Sequence, residues 1–89
     1  MIAVTNSSNV ASVGWTFVFE DDGRRFGDLY ISFKGGGEYV YHKVPQDRFV
    51  ELIGAPSAGK YLNQQIKPNY VFGKIVNGKE VKDEGAGNR

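Results

Sequence analysis

Leu29-Tyr30-Ile31-Ser32-Phe33-Lys34-Gly35-Gly36-Gly37-Glu38-Tyr39-Val40-Tyr41-His42-Lys43-Val44-Pro45 is the stretch from which the fold can be read. Leu29, Ile31 and Phe33 alternate with Tyr30 and Ser32, the period-two pattern of a strand with one buried face. Three glycines follow, and glycine adopts the positive φ angles of tight turns without steric cost. Tyr39–Val44 returns as the antiparallel partner. Pro45 stops it, because proline has no N–H for a central ladder. The register of this hairpin stays open. A two-residue loop pairs Tyr30 with Tyr41 and puts the tyrosines opposite Leu29, Ile31 and Phe33. One extra residue, as a bulge, turns Tyr39 and Tyr41 into the core and leaves Glu38 and His42 outside.

Working towards the N-terminus, Val13, Trp15, Phe17 and Phe19 repeat the alternation and predict an earlier strand. Asp21-Asp22-Gly23 ends it, and a mildly acidic loop is expected to run to Asp28. Thr5–Asn9 is turn material, and Ile2–Val4 suits a short edge strand. Towards the C-terminus, Pro45 fits a helix start. Phe49, Val50, Leu52 and Ile53 follow at helical spacing, with Gly54 as the stop. Ser57 is an N-cap for a second short helix that turns Tyr61, Leu62 and Ile66 inward, and Pro68 ends it. Tyr70, Val71, Phe72 and Ile75 read as a last extended segment. The expected architecture is α+β: an antiparallel three- to four-stranded sheet with two short helices packed on one face. Residues 1–76 form one domain, and 77–89, polar and glycine-rich, read as a flexible C-terminal tail.

At 89 residues the chain has room for one domain. It has no cysteine, so disulfides and cysteine-held zinc are excluded. No apolar run approaches the roughly 20 residues that span a bilayer, and Met1–Val4, a short apolar start without a basic region before it, does not read as a signal peptide. A cytoplasmic location without membrane attachment is expected. The formal net charge is +1, low for a dedicated nucleic-acid binder. Its distribution is uneven: Leu29–Val76 carries a net +3, and Glu20–Asp28 a net −2.

The order of several short elements resembles the KTSC domain family. Ser7-Ser8, the strand Leu29/Ile31/Phe33, the turn at Gly36, Tyr39-Val40-Tyr41 and Val44-Pro45 fit its pattern. So do Ala55, Ser57, Gly59, Tyr61 and Asn63, with Ile66 and Tyr70 closing the match. The Asp21–Asp28 segment and the C-terminal tail depart from it. The family includes free-standing small proteins and a C-terminal extension of some lysyl-tRNA synthetases. The resemblance implies no defined activity. It suggests RNA binding by association with a tRNA-handling enzyme.

Candidate sites follow from residue chemistry. Tyr30, Tyr39 and Tyr41 on an exposed sheet face would stack unpaired bases, each worth about 1–3 kcal/mol. Lys34, Lys43, Lys60 and Lys67 would meet phosphates. The plain alternatives are core tyrosines and solubilising lysines. Gly54–Lys60 matches the glycine and lysine spacing of a phosphate-binding loop, but Tyr61 replaces the hydroxyl residue that would hold magnesium, and no strand precedes it. His42, the one histidine, lacks a recognisable nucleophile partner. Asp21, Asp22 and Asp28 read as solvated carboxylates with weak calcium potential. No enzyme, cofactor or metal chemistry is expected. The sequence reads as a non-catalytic binding module for RNA or another nucleic acid. The alternative is a small protein-interaction module that binds or inhibits a larger protein, as phage-encoded proteins of this size do.

Overall fold

The computed structural model describes residues 2–4 and 9–81. Among these residues six strands and two helices follow in the order β1 (Ile2–Val4), β2 (Val10–Asp21), β3 (Arg24–Phe33), β4 (Glu38–Pro45), α1 (Gln46–Gly54), α2 (Ala58–Tyr61), β5 (Phe72–Val76) and β6 (Lys79–Val81). A π-helical stretch, Leu62–Ile66, continues α2 and is closed by the Lys67 amide donating to Leu62 O at 2.8 Å. The strands form one antiparallel sheet in chain order, β1 to β6. The α+β class and the two helices on one face agree with the sequence. The strand number exceeds three to four, because Ile2–Val4 and Lys79–Val81 pair on the two edges of the sheet; the acidic loop lengthens β2 and β3.

The expected loop at Asp21–Asp28 is the hairpin between β2 and β3. Asp22 (φ 52°) and Gly23 (φ 80°) form a two-residue turn of left-handed backbone, which matches strand twist. Arg24 pairs with Asp21 and Arg25 with Glu20. A second turn of the same kind, Asn77 (φ 53°) and Gly78 (φ 78°), carries Lys79–Val81 back onto β5. The expected tail is therefore partly strand; residues 82–89 lie outside those described, as do Thr5–Ser8 of the expected turn.

The core lies between the inner face of β2–β4 and the helices. It contains Val10, Val13, Trp15, Leu29, Ile31, Tyr41, Val44, Phe49, Leu52, Ala58, Leu62 and Ile66. Of the alternating β2 face, Val13 and Trp15 are buried, but Phe17 is 47% exposed and Phe19 37%. Beyond Trp15 the hairpin forms an arm whose β2 side is left uncovered, while its β3 side stays paired with β4 as far as Phe26, opposite Pro45. Three register shifts shape the sheet. One in β2 between Val10 and Ser12 lets both Val10 and Val13 face the core, and one in β2 between Phe17 and Phe19 sits in the arm. The third sets His42 and Lys43 against the single residue Asp28. Lys43 takes a left-handed backbone (φ 57°) at this bulge, and the parity of β4 flips. Tyr41 and Val44 thus both point inward, and the Trp15 indole Nε1 donates to Val44 O at 2.9 Å. Gly27, opposite Phe17, is required by close approach: a Cβ there would strike the Thr16 carbonyl and the Trp15 ring.

The helices are placed by their apolar faces. Phe49 and Leu52 of α1 are buried, whereas Val50 (53%) and Ile53 (44%) face solvent. Pro45 sits at the N-cap of α1 in an extended conformation. Ser57 caps α2, its Oγ accepting the Lys60 amide at 3.3 Å.

Candidate nucleic-acid interface and the histidine cluster

The hairpin register decides the tyrosines. Ser32 pairs with Glu38, Ile31 with Tyr39, Tyr30 with Val40 and Leu29 with Tyr41. This is the register with the longer loop, closed by Gly36 and Gly37 at φ 97° and 96°. The stacking platform is corrected accordingly. Tyr41 is 3% exposed and tilts on Phe72 at 5.4 Å. Burial, helped by Tyr39, pushes its hydroxyl up to about 12, as expected when the charged form loses water. Tyr39 is half-buried, edge-on to Phe33 at 5.7 Å. Tyr30 alone of the three stays open, 41% exposed on the outer sheet face.

The lysines divide into two places. Lys34 lies in the β3–β4 turn, its amide donating to Asn9 O at 2.8 Å. Gly59 abuts the side chain of the same Asn9, which sets Lys60 beside this turn. Lys67 Nζ lies 5.9 Å from the centre of the Phe33 ring. Lys34, Lys60 and Lys67 thus share the turn end of the domain. Lys74, paired with Tyr39 across the ladder, adds a fourth cation that the sequence reading passed over. All four are exposed. None makes an ion pair among the described residues. Lys43 stands apart, at the bulge.

The phosphate-loop spacing builds no cradle. The chain leaves α1 at Gly54, and the four residues of α2 begin behind Ser57, which takes the Lys60 amide for its own cap. Tyr61 N donates to Ser57 O at 3.1 Å.

A second constellation was not legible beforehand. His42 Nδ1 lies 2.9 Å from Asp28 Oδ1, and Nε2 lies 2.7 Å from Glu80 Oε2. The register gives the reason: the β4 bulge aims His42 outward beside Asp28, while Glu80 arrives from β6, a strand that composition did not reveal. Burial lowers the imidazole pKa, but the hydrogen bonds and charges of Glu80 and Asp28 outweigh it and raise it above 6.5. Asp28 therefore serves His42 and does not join Asp21 and Asp22 at the arm tip. His42 and Lys43 border an open depression of about 450 Å³ with Asn69, Tyr70 and Val71.

On the helix side, the Tyr61 hydroxyl donates to Glu51 Oε1, which also receives Arg48 Nη1 at 3.2 Å. Burial and the hydrogen bond to Glu51 raise the Tyr61 pKa, which exceeds the opposing effect of Arg48. This polar group ties α2 to α1.

These features define a small α+β domain: an antiparallel meander with two short helices over one face. A family model described as the KTSC domain matches residues 6–70. The chain belongs to the KTSC domain family. The crystal structure of a KTSC domain protein from Yersinia pestis is similar, with a TM-score of 0.68 and 28% identity over 85% of this chain and 97% of that one. A protein of Tsukamurella paurometabola is 38% identical over 42 residues. That match spans 47% of this chain and 63% of the relative's length.

Proposed function

We propose that the domain is a non-catalytic, cytoplasmic module that binds single-stranded RNA. The observation that carries this reading is the turn end, where Lys34, Lys60, Lys67 and Lys74 gather without ion-pair partners among the described residues. Phe33 and Tyr39 lie half-buried beside Lys67 and Lys74. Unpaired lysines beside aromatic groups suit a phosphate backbone whose bases stay unpaired. The contact surface differs from a tyrosine platform: backbone charge supplies the affinity, and Tyr41 contributes only through the core.

The test is fluorescence anisotropy with labelled single-stranded RNA across a salt series. Each lysine–phosphate contact adds about 0.7 to the slope of log affinity against log salt for a single strand. The triple variant Lys34→Ala/Lys60→Ala/Lys67→Ala should lose about 2 from that slope. Lys43→Ala, at the far bulge, should leave it unchanged. Absence of binding at low salt, or a triple variant that binds like the parent, defeats the reading.

A protein-interaction role has its own support in the arm. Phe17, Val18 and Phe19 are exposed there at 47%, 55% and 37%. Exposed aromatics flanked by arginines are the residue types of interface hot spots. Retention of a protein partner by the parent and its loss from Phe17→Ser/Phe19→Ser would favour this role.

A further inference from the structure

His42 receives two carboxylates from strands that are not neighbours. Asp28 lies on β3, next to β4; Glu80 lies on β6, with β5 between. Glu80 reaches β4 by crossing β5 above Gly73, where a Cβ would collide with its side chain. Gly73 pairs with Val40 and is buried. The passage is thus built into the sheet by a residue without a side chain.

The hold on β6 is otherwise slight. Its three residues are exposed, and a two-residue turn connects it to β5. Among the described residues, Glu80 is the β6 side chain that makes a polar contact beyond β5.

Imidazole chemistry then sets a condition. A carboxylate accepts hydrogen bonds and does not donate them, so both ring nitrogens must donate here. Imidazolium meets that requirement, whereas neutral imidazole carries one N–H and one lone pair. On losing its proton, His42 keeps one carboxylate and turns a lone pair on the other. We propose that His42 is a proton-operated latch that fastens β6 to the sheet through Glu80.

The charged and titratable groups around the latch are Asp28 from β3, Glu80 from β6, Lys43 from β4 and Tyr70 from the segment before β5. Of these, Glu80 and Asp28 are the charges that act on the imidazole. The direction of the shift agrees with the geometry: Glu80 and Asp28 raise the pKa in the closed state. A raised pKa makes the latch fully effective below 6.5, and its contribution is lost as pH rises through the folded-state value. Opening would bare the β5 edge, Phe72–Val76, to a new strand.

Because the chain has one histidine, its imidazole nitrogen signals assign themselves in an NMR titration of the full chain. The expected result is a midpoint above 6.5, lowered by roughly half a pH unit or more in Glu80→Gln and in Asp28→Asn. Amide-exchange protection of Lys79–Val81 should fall with the same midpoint, while that of Leu29–Ile31 holds. Gly73→Ala should lower both the midpoint and the β6 protection. A midpoint at or below 6.5, one insensitive to Glu80→Gln, or β6 protection that ignores the titration overturns the latch.

Discussion

The β2–β3 hairpin is two structures in one ladder. Its inner half, Val10–Trp15 against Leu29–Phe33, lies under the helices, and Val13, Trp15, Leu29 and Ile31 are 3% exposed or less. Its outer half, Thr16–Asp21 against Arg24–Asp28, has the same pairing and apolar residues at Phe17, Val18 and Phe19, yet these stay open. Besides the pairing of Phe26 and Gly27 with Pro45 and Val44 of β4, the arm is held by cross-strand ring contacts. Phe19 stacks on Phe26 at 5.1 Å, Arg25 lies 4.3 Å over Phe17, and Arg24 lies 5.4 Å over Phe26. Burial depends on what covers a strand, and its alternation alone does not secure it. The two halves therefore draw stability from different sources: cavity-sensitive packing inside, and pairwise ring contacts outside.

Substitutions can sharpen or break that division. Leu29→Ala, in the covered half, should cost about 2–5 kcal/mol in urea unfolding, the range for a buried leucine whose cavity cannot collapse. Gly27→Ala tests the boundary between the halves; its methyl meets the Thr16 backbone and the Trp15 ring. Overpacking of this kind costs about 1–3 kcal/mol, and a neutral result would mean that the boundary is slack. Phe19→Ala should cost about 0.5–1.5 kcal/mol, with loss mainly of the stack on Phe26. A cost equal to that of Leu29→Ala would erase the distinction. Asp47→Ala removes the exposed Arg24–Asp47 pair, 3.3 Å long, between arm and α1. Its effect on the unfolding midpoint should be smallest, about 0.2–1 kcal/mol, and should vanish in high salt.

The covered half was the legible half. Leu29/Ile31/Phe33, the helical spacing around Phe49 and Leu52, and the Ser57 cap point to the elements that form, because each serves one buried face. The arm was hidden by its charges. Asp21, Asp22, Arg24 and Arg25 read as loop, although Asp22-Gly23 is a strong two-residue turn signal, as is Asn77-Gly78 for β6. Both dipeptides were sufficient to suggest hairpins, but charged residues follow each of them, Arg24-Arg25 and Lys79-Glu80, where the apolar alternation of a returning strand usually stands. The tyrosine register turned on one residue of loop length, which three consecutive glycines leave undetermined. The His42 cluster was further out of reach. It needs the bulge at His42–Lys43, with a lysine in a backbone region that favours glycine, and a partner 38 positions away. Of the lysines, sequence identified the residue type; folding decided that Lys34, Lys60 and Lys67 meet while Lys43 does not.

The strand order β1 to β6 has a kinetic consequence. Every strand pairs with the one made just before it, and only β5 must wait for the two helices to be made before it reaches β4. Chains rich in near-sequence contacts close short loops and cross low entropic barriers. The β2–β3 hairpin can zip from Asp22-Gly23 while later residues are still being synthesised, and β4 and then α1 add to an existing template.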